Sequence, residues 1–241
     1  MKLLVTGATG YIGSVVVARL ADAGHEPVAL VRAGSSADRL PAGTRVVTGD
    51  VADADALVAA LAEAGPLDGV VHLAPSGGLD VDRAAASAYA ETLRPGGGVL
   101  VWTTGVWVLG RTGPAPVDED AATAPIAIVA DRAEVERHVL AAAPDVRAVV
   151  VRPGVVHGRG AGIPAMLVDR ARTDGVGRHV GGDDVTWPMV HVDDLADLYV
   201  AAVERAPAGA VLHGVAEEGV PVRDLATAAA LAAGLPARAE R

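Results

Sequence analysis

The sequence predicts an α/β fold in which a doubly wound parallel sheet carries a smaller C-terminal lobe. Two observations predict it. Short apolar runs alternate with helical patterns along most of the chain, the signature of parallel strands joined by crossover helices. The chain also opens on a strand, a glycine turn and a helix: Leu3-Leu4-Val5, then Thr6-Gly7-Ala8-Thr9-Gly10-Tyr11-Ile12-Gly13, then Ser14 to Leu20 with Gly24 behind it. That order is the start of a dinucleotide-binding βαβ unit and makes the sheet Rossmann-type.

In this turn Gly7 lets the chain leave the strand sharply. Gly10 lets a pyrophosphate approach the backbone, and Gly13 lets the helix pack close to the sheet. The spacing is G-x-x-G-x-x-G rather than G-x-G-x-x-G. The N-terminal end of the helix supplies N–H groups and a positive dipole end to the phosphates. Gly7, Thr9, Gly10, Tyr11, Ile12 and Gly13 are therefore candidate cofactor residues.

The remaining elements follow in order. Strands are predicted at Pro27–Val31, Arg45–Thr48, Gly69–Leu73, Val99–Thr103 and Val146–Val151. Helices are predicted at Asp53–Ala64, within Val81–Leu93 before Arg94-Pro95-Gly96, and at Asp131–Ala142 before Pro144. From His157 the alternation breaks on Gly158, Gly160, Gly162, Gly175, Gly177, Gly181 and Gly182, which predicts loops. A helix returns at Asp193–Arg205, a strand at Val211–His213 and a last helix at Val222–Ala233. The expected division is a dinucleotide-binding domain over 1–155, joined by the helix 193–205, and a substrate lobe over 156–190 and 206–241. The lobe is expected to cover the C-terminal edge of the sheet, where ligands of open α/β sheets bind.

Composition narrows the function. The 241 residues are 51% hydrophobic, with no Phe and few other aromatics, so the core is built from Ala, Val and Leu. There is no cysteine, which removes disulfides and thiolate metal sites, and the scattered histidines show no metal-ligand spacing. A net charge of −10 argues against nucleic acid or an anionic membrane as partner. No apolar run reaches the roughly 18 residues that span a bilayer. Met1-Lys2 leads straight into a strand, with no signal peptide. A soluble cytoplasmic protein is expected.

The second strand bears on the cofactor. An NAD site places a carboxylate near its end to bind the ribose hydroxyls. Here that position holds Val31-Arg32, with Ser35 and Ser36 just beyond. The planar fork of Arg32 suits a 2′-phosphate, so NADP is expected, with NAD the alternative.

The segment TGATGYIGS resembles the short-chain dehydrogenase/reductase superfamily, in particular its extended or atypical branch of nucleoside-diphosphate-sugar epimerase-like proteins. Further residues carry the resemblance along nearly the whole chain: Gly49-Asp50-Val51, His72-Leu73-Ala74, Arg152-Pro153-Gly154 and Val190-His191-Val192-Asp193-Asp194-Leu195-Ala196. The resemblance implies that Asp50 bonds the adenine and Val51 packs on it. It also implies that Leu73, Ala74, Thr103 and Pro153 lie along the nicotinamide half. Similar proteins pair through helices near 81–93 and 126–142, which implies a homodimer.

The catalytic pattern of that superfamily is missing. Its members use a Ser or Thr, a Tyr that moves the proton, and a Lys four residues later that lowers the Tyr pKa. Aligning Glu136-Arg137-His138-Val139-Leu140 with the end of the catalytic helix puts Ile128 at the Tyr position and Arg132 at the Lys position. No other register helps, because the only Lys is Lys2 and the Tyr are Tyr11, Tyr89 and Tyr199. In Thr103-Thr104-Gly105, Gly105 occupies the usual hydroxyl position and Thr104 stands beside it. The candidate catalytic residues are therefore Thr104 as the hydrogen-bond donor to the substrate oxygen, His157 as a neutral-range proton carrier, and Arg132, with Asp131, Glu134 and His191 as weaker ones.

Three functions remain open: an NADP-dependent oxidoreductase of a small carbonyl, alcohol or sugar-like substrate; a redox-neutral isomerase, dehydratase or cyclase; and a cofactor sensor without enzyme activity.

Overall fold

The computed structural model describes residues 1–113 and 115–241. The strands and helices, in chain order, are β1 (Lys2–Thr6), α1 (Tyr11–Asp22), β2 (Glu26–Val31), β3 (Arg45–Thr48), α2 (Ala54–Ala64), β4 (Gly69–His72), α3 (Leu79–Leu93), β5 (Val99–Thr103), α4 (Arg132–Leu140), β6 (Arg147–Pro153), β7 (Val155–His157), α5 (Gly162–Asp174), β8 (Gly177–Arg178), β9 (Thr186–His191), α6 (Val192–Arg205), β10 (Val211–Gly214), β11 (Glu217–Pro221), α7 (Val222–Ala232) and β12 (Ala239–Glu240). The chain forms two compact units, Met1–Arg152 with Ala196–His213, and Pro153–Leu195 with Gly214–Arg241.

The first unit is organised by a seven-stranded sheet in the order β10-β6-β5-β4-β1-β2-β3. β1 lies between β2 and β4, so the strand order reverses there, which is where open α/β sheets leave a crevice for a ligand. Side chains alternate across the sheet. Leu4, Val28, Val70, Leu100, Trp102 and Val150 pack with Leu57, Leu61, Tyr89, Leu93, Val135 and Val139 of α2, α3 and α4. The opposite phase, exemplified by Thr103, meets α6, where the Thr103 and Tyr199 hydroxyls lie 2.6 Å apart. Arg19 of α1 pairs with Asp197 of α6 at 2.7 Å on the outside of that layer. Small aliphatic residues suffice because the inner strands β1, β2, β4, β5 and β6 are buried at nearly every position.

Two expectations from sequence need correction. The predicted strand at Val211–His213 does not belong to the lobe. Gly209 N–H donates to Ala148 O and Val150 N–H to Ala210 O, so β10 runs parallel to β6 at the edge of the large sheet. The glycine-rich stretch after His157 is also not all loop, since the 13-residue helix α5 lies within it. Its glycines stand at the ends: Gly162 opens α5, and Gly175 closes it in the left-handed region at φ 72°. In the second unit α5 packs on α7, beside the sheet β11-β9-β7.

Candidate functional site

The glycine turn is packed where glycine is required and open where a phosphate would need room. Gly7 has φ 65°, and a Cβ there would stand 2.4 Å from Leu73 O. A Cβ on Gly13 would lie 2.1 Å from Gly7 O. Over Gly10 the one atom within 4 Å of such a Cβ is Gly7 O, at 3.1 Å. No side chain caps α1 and no acidic residue sits in its first turn, so its positive dipole end is not neutralised locally.

A buried polar knot holds this turn to the end of β4. Thr6 Oγ1 accepts the N–H groups of Leu73 and Ala74 at 3.2 and 3.3 Å. Thr6 Oγ1 is also hydrogen-bonded with His72 Nδ1, 3.0 Å away. His72 stacks on Trp102 with ring centroids 3.7 Å apart, and burial pushes its pKa down to about 3, so it is neutral. Among the other expected cofactor residues, Arg32 is exposed directly after β2, as is Ser35. Asp50 is half-buried, with Oδ1 accepting the Ala52 N–H at 3.0 Å, and Val51 packs against the core. Pro153 is buried at the end of β6.

The ends of β5, β6 and β10 carry a second polar cluster. Thr104 Oγ1 donates to Glu136 Oε1 at 2.5 Å. Arg152 grips the same carboxylate through Nε and Nη2, the latter 2.7 Å from Oε2. Thr104, Glu136 and Arg152 are each at most 5% exposed. Arg132 Nη1 donates to Thr104 O. Burial draws the Arg132 pKa down, while Asp82 and Glu136 push it up, and it stays a cation throughout the neutral range. Ile128 lies ahead of α4 in a 3-10 turn and is 78% exposed. Thr104 and Arg132 are thus brought together. Because the Thr104 hydrogen is held by a carboxylate, the hydroxyl meets a ligand as an acceptor, which differs from the donor role expected from sequence.

Sequence reasoning missed Glu119 and His213. Glu119 Oε1 accepts the His213 backbone N–H at 2.8 Å, and this bond holds the Glu119 carboxyl below its usual range. Arg152 Nη1 reaches Glu119 O in a long 3.5 Å contact. A histidine at the C-terminal end of a parallel strand was the available signal.

His157 lies in the second unit. It is the register partner of His191 across β7 and β9, and the rings meet edge to face at 5.3 Å. His157 Nε2 stands 3.9 Å from Glu217 Oε2. His191 Nδ1 accepts the Asp193 N–H, and Asp193 pairs with Arg159 at 2.7 Å. Among the described residues no group of three or more His, Cys, Asp or Glu is placed to hold a metal, and no helix is long and apolar enough to cross a membrane.

The model of the NAD dependent epimerase/dehydratase family matches residues 3–213. The chain belongs to that family. A Schizosaccharomyces pombe relative, Uncharacterized protein C2A9.02, is 36% identical over 237 residues, covering 94% of this chain and 78% of that protein. A 3-diazoavenalumate denitrifying reductase from Streptomyces sp is 34% identical over 252 residues, covering 92% of this chain and 78% of that protein. A 2'-dehydrokanamycin reductase from Streptomyces kanamyceticus is 32% identical over 240 residues, covering 93% of this chain and 64% of that protein. The solved Thermus thermophilus UDP-glucose 4-epimerase, in complex with NAD, superposes with a TM-score of 0.81 at 22% identity over all of this chain and 86% of its own. That likeness establishes the Rossmann-like fold.

Proposed function

We propose that this epimerase/dehydratase-family chain is an NAD(P)-dependent oxidoreductase of a small carbonyl, alcohol or sugar-like substrate that works without the Tyr–Lys pair. The observation that carries the reading is the glycine turn. Gly7 and Gly13 are closed against neighbouring backbone, while Gly10 leaves an approach to an uncapped helix end. These residues fit a pyrophosphate. Exposed Arg32 in place of a carboxylate favours NADP over NAD, and Asp50 and Val51 would hold the adenine. The two reductase relatives support redox chemistry.

Bound there, the nicotinamide would exchange hydride with a substrate carbon. The chain's own groups would do the rest. Thr104 would accept a hydrogen bond from a substrate hydroxyl, and the fixed charge of Arg132 would stabilise an oxyanion. His157, the proton carrier expected from sequence, lies in the second unit. A second reading, a redox-neutral enzyme or a cofactor sensor, is favoured by the exposed Ile128 at the Tyr position.

Calorimetric titration of NADP and NAD, followed by NADPH and NADH oxidation across a panel of aldehydes and ketones, tests both readings. Binding with turnover is expected. Binding without turnover on any substrate selects the second reading, and no binding removes the oxidoreductase and the sensor, leaving a redox-neutral enzyme that does not use the nucleotide.

A further inference from the structure

We infer that His213 is the proton-carrying residue of the first unit's site, giving its proton to the substrate oxygen in carbonyl reduction and taking it back in alcohol oxidation. The inference rests on the oxidoreductase reading above. Loss of the Tyr leaves that chemistry without a proton carrier, since Thr104 is committed to Glu136 and Arg132 does not titrate. His213 is the penultimate residue of β10, at the same C-terminal sheet edge as Thr104 and Arg152, where open α/β sheets bind ligands.

Three features set this histidine apart. Its Nε2 is buried and has no hydrogen-bond partner among the described residues. A buried polar atom without a partner requires an explanation, and a ligand oxygen supplies one. Its backbone is fixed by Glu119, which the long Arg152 contact ties to the Arg152–Glu136–Thr104 cluster. Its pKa is also lowered by its surroundings. Burial lowers its pKa and the Arg152 cation lowers it further, while Glu119, Glu136 and Asp118 raise it. An imidazole perturbed by burial and by specific charged neighbours at a sheet edge is a functional-site candidate.

The step balances. In reduction the carbonyl carbon gains hydride from the reduced nicotinamide, the carbonyl π pair moves to oxygen, and that oxygen takes the proton of the His213 imidazolium. Water then reprotonates the imidazole. Oxidation runs in reverse, with neutral His213 accepting the alcohol proton.

The test combines kinetics with histidine NMR on the full chain. Reduction should fall, and oxidation should rise, as pH passes upward through one apparent pKa. The His213 resonance of the cofactor-free protein should titrate at a value below 6.5 that matches this limb. His213→Gln should lose about 10²–10⁴-fold in kcat, the usual weight of a general acid or base, with cofactor affinity unchanged. In His213→Ala, added imidazole should restore part of the rate, which a structural role would not allow. Glu119→Gln removes a carboxylate that raises the His213 pKa, so NMR titration and kinetic limb should both move down together. A limb that survives in His213→Gln and vanishes in His157→Ala overturns the assignment, as does a His213 resonance whose titration does not match the kinetic limb. Bound cofactor without turnover in wild type overturns the redox reading itself, and this inference with it. A normal His213 titration in that case shows that the failure lies with the chemistry rather than with the residue's environment.

Discussion

Acidification below pH 6.5 should destabilise this protein through His72. The imidazole is 1% exposed, stacked on Trp102 and hydrogen-bonded to Thr6, and its folded pKa is about 3 against an ordinary 6.5. Unfolded, it takes up a proton as pH falls through 6.5; folded, it stays neutral until pH nears 3. The unfolded chain therefore binds more protons across that window. The stabilisation is complete above pH 6.5 and is lost as pH drops. Each pH unit costs about 1.4 kcal/mol per proton, so moving from pH 6.5 to 5 removes about 2 kcal/mol. Urea unfolding at pH 7.5 and 5 measures the loss in wild type and in His72→Asn. The variant is expected to be weaker at both pH values, but its loss between them should be smaller by about 2 kcal/mol. His213, whose pKa is also lowered, contributes in the same direction to both proteins and cancels in the difference. Equal losses in the two proteins would refute the reasoning, as would a His72 NMR resonance that titrates above pH 5.

Other perturbations separate the roles of neighbouring residues. Gly13→Ala drives a Cβ into Gly7 O and should cost about 2–3 kcal/mol in urea unfolding. Gly10→Val, at φ −74° with only one close contact, should leave the melting temperature within a few degrees and abolish nucleotide binding by calorimetry. Arg32→Ala should lower the NADP-to-NAD affinity ratio about tenfold, the weight of one charge-assisted bond, and an unchanged ratio would make Arg32 a plain surface residue. Glu136→Ala strands the buried Arg152 cation and should cost about 3–5 kcal/mol in chemical unfolding.

The parts of this molecule legible in the sequence are those whose cause is local. Leu3 to Gly13 form their strand, turn and helix from apolar periodicity and three glycines, and β2 to β6 appear where Val-rich runs predicted them. The helix α5 is masked in the sequence because its glycines stand at its ends but read as interruptions, although Ile163, Leu167 and Ala171 fall at helical spacing between Gly162 and Gly175. The membership of β10 in the large sheet was not legible, because a strand's partner is decided by packing across distant sequence.

The same distinction governs the site. The loss of the Tyr and Lys could be read from single positions, and with it the fact that any proton transfer here needs a different group. Which group remains in place depends on contacts across long sequence separations: Thr104 to Glu136, Glu136 to Arg152, and Glu119 to His213, 94 residues apart. Those contacts change the chemistry assigned to a residue already singled out. Thr104 has a hydroxyl in either view, but only the carboxylate beside it decides that the hydroxyl accepts rather than donates. A buried carboxylate gripped by Arg152 holds that polarity at any pH where the ion pair survives. Under the oxidoreductase reading the fixed pair would orient the substrate while a separate group carries the proton, and in the first unit that division of labour points to His213.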